Sequence, residues 1–495
     1  MTHPLVQRIA GVMELAPGSP AIEFEGRWRS WGALGDHAGR IAALVEKHGG
    51  THAQVGVLLR NTPAHIGAFL GVLLANASVV VINPARGDDR TRADIAVLRL
   101  PIIVGTATDV NELVEIADAT TVLVISDLTE PPTSAPAATT ASSEQRPGVA
   151  VRMLTSGTTG PPKRIDLTYD MLARSVLGSD AAMAAPSKPR HRVAIVSAPL
   201  VHIGGVFRVL QCVTEARPFV LLPRFELASW IKSVRTHRPR TVSLVPTALR
   251  MVLHSDLARE DLAGIRAVTS GTAPLSADDA DAFMDKFGIP VLTSYAATEF
   301  GGGVAGWTLA DHQRYWSAKR GSVGRATFGA RLRVVNDHGQ PLAPEAVGLL
   351  EVKPGQLGAE IGWIRTTDLA RIDADGFLWI LGRADQAIIR GGFKVMPDDV
   401  RAALESHPAI KGAAVVGHPD RRLGETPVAM VELRDRVSAE ELVEFLRTRL
   451  ARYEIPTDIA IVETIPRTPS GKADLVQVRR HFSESVPPPR AAHAP

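Results

Sequence analysis

The sequence predicts an α/β protein: a large N-terminal domain of parallel-rich sheets flanked by helices, followed by a small, mobile α+β domain. Three observations carry this. Short β-branched runs alternate with helical patterns from Val55 to Ser294; a Gly/Thr-rich stretch ends one such run at Thr155; and the style of the chain changes near Arg383–Asp385. Residues 1–384 are therefore expected to form the large domain, 385–482 the small one, and 483–495, rich in proline and alanine, a disordered tail.

Taken in order, runs 55–59, 79–82, 102–104 and 122–125 read as strands covered on both faces. The most apolar stretch, 64–84, has the look of a membrane span, but Asn76 and Asn83 interrupt it. A helix over 64–75 and a buried strand over 79–82 are expected instead, with no span. Residues 130–147, rich in Pro, Ala, Ser and Thr, read as an exposed linker. Further strands are expected at 193–197, 219–222, 242–245, 267–270 and 291–294. In the small domain, Ser438 and Glu441 make a capping-box pattern ahead of the helical stripe Leu442, Phe445, Leu446 and Leu450.

Composition narrows the function classes. A chain of 495 residues has room for two or three domains, and 45% apolar residues support a large core. The net charge is +3 without a Lys/Arg run, which gives no case for a nucleic-acid partner. A single cysteine, Cys212, excludes an internal disulfide framework and fits a reducing compartment. The opening Met-Thr-His-Pro-Leu-Val-Gln lacks the basic-then-apolar order of a signal peptide, so a cytoplasmic location is expected.

The chemistry concentrates in a few motifs. Thr155, Ser156, Gly157, Thr158, Thr159, Gly160 and Lys163 crowd into one stretch. Glycines bring backbone N–H groups close to a ligand, hydroxyls add short donors and Lys163 adds a mobile positive charge, a set that suits a triphosphate. It is not a Walker loop, because the glycine spacing differs and Arg164 follows Lys163. Taken alone, the stretch has a competing reading as a Gly/Thr-rich surface turn. Tyr295-Ala296-Ala297-Thr298-Glu299 ends a predicted strand, where ligands sit in open α/β sheets. An aromatic ring there can stack on a purine, and a carboxylate can hold Mg²⁺ beside phosphates. Gly271, Thr272 and Ala273 follow another predicted strand.

From about Leu5 to Phe482 these motifs resemble, in order, those of the adenylate-forming superfamily: acyl-CoA synthetases, peptide-synthetase adenylation domains and luciferases. The resemblance implies an ATP-dependent acyl-CoA ligase that activates a fatty, aryl or bulky alicyclic acid as acyl-AMP and passes it to coenzyme A, with AMP and pyrophosphate released. By that resemblance Thr155–Lys163 is the phosphate loop and 271–273 lines the adenine. Tyr295 stacks on adenine, Thr298 touches the α-phosphate and Glu299 holds Mg²⁺. Asp368, in Arg-Thr-Thr-Asp, clamps the ribose with Arg383, and Asp385 is the hinge between domains. His202, in Pro-Leu-Val-His-Ile-Gly-Gly, walls an acyl pocket shared with Ala296, Gly301 and Gly302. Gly391, Gly392 and Lys394 belong to the loop of the thioester step, and Lys472, in Pro-Arg-Thr-Pro-Ser-Gly-Lys, is the adenylation lysine.

The run from Pro199 to Phe207 has no carboxylate to pair a substrate amine, which argues against amino acids. Only 23 residues (495 − 472) follow Lys472, so coenzyme A is the expected acceptor, with a separate acyl carrier protein as the alternative and a non-catalytic nucleotide-binding regulator as a third reading. Four positions depart from the family pattern: Arg164, Ala296 and Thr367 each replace a glycine, and Leu475 stands where arginine is common. Lys472→Ala is expected to abolish acyl-AMP formation while leaving ATP affinity nearly intact, measured by pyrophosphate release and calorimetric titration. Full adenylation by the variant would remove Lys472 from its role.

Overall fold

The computed structural model describes residues 2–50, 52–115, 120–137, 145–155, 163–178, 184–390, 393–420, 422–468 and 471–484. The chain divides into two compact units, Met1–Arg331 with Lys353–Gly362, and Leu332–Val352 with Trp363–Pro495.

The first unit is built on three sheets. The seven-stranded sheet runs, in spatial order, Thr133–Ala135, Thr121–Val124, Ile102–Gly105, Gln54–Leu58, Ser78–Ile82, Val149–Thr155 and Lys163–Thr168. Its interior pairs are parallel and its two edges antiparallel. The expected linker therefore contributes the short exposed edge strand Thr133–Ala135, while residues 138–144 lie outside the described set. The helix expected at 64–75 is Pro63–Leu74. Thr62 caps it by accepting from the His65 N–H, and proline occupies its first turn. It is buried all round, which is why it reads as apolar on every face. Among the described residues no helix is long and apolar enough to cross a membrane.

The second sheet orders Ala194–Val196, Phe219–Leu221, Pro20–Phe24 and Arg27–Ser30. The third orders Thr241–Ser243, Ala267–Ser270, Val291–Ala297, Gly302–Gly306 and Arg325–Ala326. Its first three strands are parallel. The strand expected at 291–294 continues to Ala297, because Gly302–Gly306 folds back antiparallel to it and supplies the missing ladder partner.

In the second unit the strands Arg331–Val335, Gly348–Lys353, Ile364–Ile372 and Leu378–Arg383 form one sheet in sequence order. A further sheet centres on Gly424–Leu433, antiparallel to Ile410–Asp420 and parallel to Asp458–Val462. Helices cover its faces. The capping box at Ser438 forms as expected, with Leu442 and Leu446 fully buried.

Close backbone approach shapes one turn near the candidate site. The N–H of His202 donates to Pro199 O at 3.0 Å and that of Gly205 to His202 O at 3.0 Å. A Cβ on Gly205 would stand 2.2 Å from Pro199 O. Gly205→Ala is expected to lower stability by about 1–3 kcal/mol, the usual cost of overpacking a tight contact. Chemical denaturation checks this, and an unchanged midpoint would mean the turn tolerates a methyl group.

Candidate active site

Parallel pairing assembles the first half of the site. Ala267–Ser270 and Val291–Ala297 run side by side, with Ser270 opposite Thr293, so their carboxyl ends face the same way. Gly271, Thr272 and Ala273 leave one strand beside Ser294 and Tyr295 on the other, and the Ser294 hydroxyl donates to Ser270 O at 3.5 Å. Thr272 holds φ at +72°, in the left-handed region that β-branched residues avoid. Strain of this kind costs on the order of 1–3 kcal/mol and persists where surrounding structure demands it, often at ligand sites. The half-buried Tyr295 ring lies 5.9 Å from that of Phe300. Thr298 is half-buried and Glu299 exposed in the single 3-10 turn that follows the strand.

Gly301 and Gly302, at φ +71° and +140°, turn the chain into Gly302–Gly306. Glycine adopts such backbone without a Cβ penalty. Two side chains brace the turn: Ser175 Oγ donates to Gly301 O at 3.0 Å, and Gln356 Nε2 donates to Gly303 O at 2.6 Å. Ala296 is exposed at a bulge in the ladder.

The phosphate stretch is a hairpin. Thr155 ends one strand and pairs with Lys163, the exposed first residue of the next. Ser156, Gly157, Thr158, Thr159 and Gly160 lie outside the described residues. The returning strand leads into the helix Tyr169–Leu177, which carries Ser175. Phosphate hairpin and Glu299 turn are thus tied through one helix.

His202 is half-buried at the start of the helix Ile203–Thr214. The loop before it is held by Asn61, which sequence reasoning missed. Asn61 is buried; its Oδ1 accepts from the Leu200 N–H at 2.8 Å, and its Nδ2 donates to Ala198 O at 3.1 Å and Leu222 O at 3.2 Å. In the sequence it reads only as a polar residue before a helix cap.

In the second unit, Asp368 and Arg383 face each other in register on neighbouring strands. The Asp368 N–H donates to Thr366 Oγ1 at 3.1 Å. Arg383 makes a forked ion pair with Asp385, at 2.9 and 2.7 Å. Gly391 and Gly392 lie outside the described residues, and Lys394 sits in the strand Phe393–Val395.

Lys472 is exposed on a tight hairpin. Thr468 N–H donates to Lys472 O at 2.7 Å, and Asp474 N–H donates to Pro466 O at 2.8 Å. Its base is anchored to Glu432, another residue the sequence did not flag. Glu432 is buried and takes the Lys411 ammonium, the Ile465 N–H at 3.5 Å and the Arg467 guanidinium at 3.5 Å. Arg467 also donates to Gly471 O at 3.2 Å. Burial alone would raise the Glu432 carboxyl; Lys411, the Ile465 N–H and Arg467 outweigh it and hold it below the usual carboxylate range.

Three departures from the family pattern have structural reasons. Arg164 is neither solvated nor turned toward a phosphate: it pairs with Asp94 at 2.5 Å and donates to Val81 O at 3.0 Å, with burial pushing its guanidinium below the usual value. Thr367 occupies regular strand, without the positive φ that would demand glycine. Leu475 packs against the cluster of Val416, Met430 and Val478.

The AMP-binding enzyme family model matches residues 11–358, and the model of the AMP-binding enzyme C-terminal domain matches 399–472. The chain belongs to the AMP-binding enzyme family. The resemblance to adenylate-forming ligases therefore stands, and with it the ligase class. A 2-succinylbenzoate–CoA ligase of Bacillus velezensis is 29% identical over 94% of this chain and 95% of its own length. A feruloyl-CoA synthase of an Amycolatopsis species is 31% identical over 68% of this chain and 70% of its own. The ATP-bound RpMatB–BxBclM chimera superimposes with a TM-score of 0.81 at 25% identity, covering 96% of this chain and 99% of its own. The o-succinylbenzoate CoA synthetase of Bacillus subtilis, in complex with its acyl-adenylate, shares the fold at TM-score 0.79 and 24% identity, covering 98% and 99%.

Glu432→Gln leaves Lys411 and Arg467 without their carboxylate and loosens the Lys472 hairpin. It is expected to slow acyl-AMP formation about tenfold, as misplacement of a charged group does, with the KM for ATP within about twofold. Transfer from supplied acyl-AMP should be unaffected; equal slowing of both steps would mark a general loss of structure instead.

Proposed function

We propose that this protein is an ATP-dependent ligase that activates an aryl or aryl-alkanoic acid as acyl-AMP and transfers it to coenzyme A. The observation that carries the reading is the strained Thr272 loop set beside Tyr295–Glu299 at the carboxyl ends of paired parallel strands. Two further points support it: the family relatives named above take aromatic acids or their kin by name, and no carboxylate lies between Pro199 and Phe207 to hold an amine.

A carboxylate is a poor acylating agent because its leaving group is oxide-like. Its oxygen attacks the α-phosphorus of ATP, the bond to the bridging oxygen breaks and pyrophosphate leaves in line. The sulfur of coenzyme A then attacks the acyl carbon and AMP departs. Such chemistry needs positioning and charge neutralisation more than covalent help. Tyr295 stacks on the purine, 271–273 lines its edge, and Asp368 and Arg383 hold the ribose. Lys163 and the hydroxyls of 155–160 cradle the outer phosphates, with Thr298 at the α-phosphate. Lys472 offsets charge where the acid attacks. His202, Ala296, Gly301 and Gly302 wall the acid, while Gly391, Gly392 and Lys394 serve the thioester step after movement about Asp385.

Mg²⁺ is typically held by one or two carboxylates together with phosphates and water. The exposed Glu299 fits that need, and among the described residues no trio of His, Cys, Asp or Glu gathers to bind a metal by itself. When bound, the ion neutralises phosphate charge.

Mass spectrometry of the purified protein with ATP, Mg²⁺ and a panel of aryl, fatty and alicyclic acids, with and without coenzyme A, tests the reading. Acyl-CoA and AMP should appear together, from aryl acids at least tenfold faster than from fatty ones. Acyl-AMP that never passes to coenzyme A would move the acceptor to a carrier protein, and no adenylate from any acid would overturn the proposal.

A further inference from the structure

The first unit contains a cavity of about 740 Å³, in the range of small-molecule sites. Two sheet edges border it: Ala194–Val196, the end of the four-stranded sheet, and Thr241–Ser243, the end of the five-stranded one. Residues 185–193 and the helix Ile203–Thr214 close the rest. The cavity takes in the amino ends of both strands, at Arg192 and Arg240. The candidate active site instead uses carboxyl ends, where Ala194–Val196 leads on to His202 and Ala267–Ser270 to Thr272.

Its lining is strongly cationic. Lys188, Arg190, Arg192, Arg208, Arg217 and Arg240 are among its lining residues, against one carboxylate residue, Glu215. Glu215 is already engaged by Arg217 at 2.8 Å and Arg190 at 3.5 Å. Arg208 donates to Gln211 at 2.9 Å. Among the described residues, Lys188, Arg192 and Arg240 make no ion pair. Arg192, and then Arg266, repel Arg240 and lower its affinity for a proton. Several arginines elsewhere in this unit are tied to carboxylates, as Arg60 is to Asp109, Arg152 to Asp166 and Arg250 to Asp279. Like charges gathered around a concave surface focus field and concentrate anions. Guanidinium groups suit phosphate geometry in particular. The remaining wall, including Pro189, Val193, Pro239 and Val242, is apolar and can meet an organic moiety.

We propose that this cavity binds a small organic anion carrying two or more phosphate groups, at a site separate from that of ATP. The phosphates lie against Arg192 and Arg240 and the organic part against the proline-lined wall. The inference does not depend on the acid or acceptor of the ligase reaction.

Calorimetric titration of the full chain, with the ATP site saturated by AMP, which carries a single phosphate, and excess Mg²⁺ and no acid present, tests it with ADP, inorganic tripolyphosphate and orthophosphate as probes. The wild type should take up one equivalent of ADP or tripolyphosphate. R192A/R240A should bind either at least tenfold more weakly, while Lys163→Ala should bind both normally. Raising salt should weaken the uptake, and acyl-CoA formation by R192A/R240A without probe should stay within about twofold of wild type. ADP binding more tightly than tripolyphosphate would assign the source to nucleotide-like ligands. Tripolyphosphate binding at least as tightly as ADP would overturn the role given to the apolar wall. The site itself is overturned by no uptake, by uptake unchanged in R192A/R240A, by orthophosphate binding as tightly as the polyphosphates, or by capture of an acidic protein without uptake of any of the three probes.

Discussion

Parallel pairing between Ala267–Ser270 and Val291–Ala297 is the constraint on which the nucleotide side of the site depends. Parallel strands send their carboxyl ends in one direction, so two loops far apart in sequence emerge as neighbours. One carries the left-handed Thr272; the other carries Tyr295, Thr298 and Glu299. The antiparallel return of Gly302–Gly306 then stiffens the second loop at its far end, through a ladder and not by packing alone. Opposed in this way, the strand ends form a rigid platform, and rigid platforms are what hold reacting groups in line.

Buried polar side chains finish what the ladders begin. Asn61, Ser175, Gln356 and Glu432 each spend hydrogen bonds on loop backbone: the His202 loop, the Gly301–Gly303 turn for the middle pair, and the Lys472 hairpin. A buried polar group left without partners costs about 1–3 kcal/mol. The loop conformation that satisfies it is therefore favoured over its alternatives, and specificity of shape follows. Arg164 shows the same logic outside the site: the charge next to Lys163 is directed inward to Asp94 and Val81 O, so it braces strands.

The basic cavity between the edges of two sheets stands apart from this economy. Several arginines of the first unit have a carboxylate to answer them, whereas among the described residues Lys188, Arg192 and Arg240 of this cavity make no ion pair. Its position at strand amino ends, away from the carboxyl-end platform, makes it an independent feature of the same scaffold.

The sequence by itself determined the α/β class, most strand positions and the capping box at Ser438, because these depend on local periodicity and short motifs. It placed Tyr295, Glu299, Asp368 and Lys472 in order along the chain but not what braces them. Only tertiary structure decided that Asp368 faces Arg383, that Asn61 reaches Leu200 and that Glu432 anchors Arg467, since each joins residues 15 or more positions apart whose spacing leaves no local signature. The strand through Tyr295 ran longer than its sequence suggested for the same reason: a ladder partner, Gly302–Gly306, supplied hydrogen bonds that no propensity of the Tyr-Ala-Ala segment could foretell.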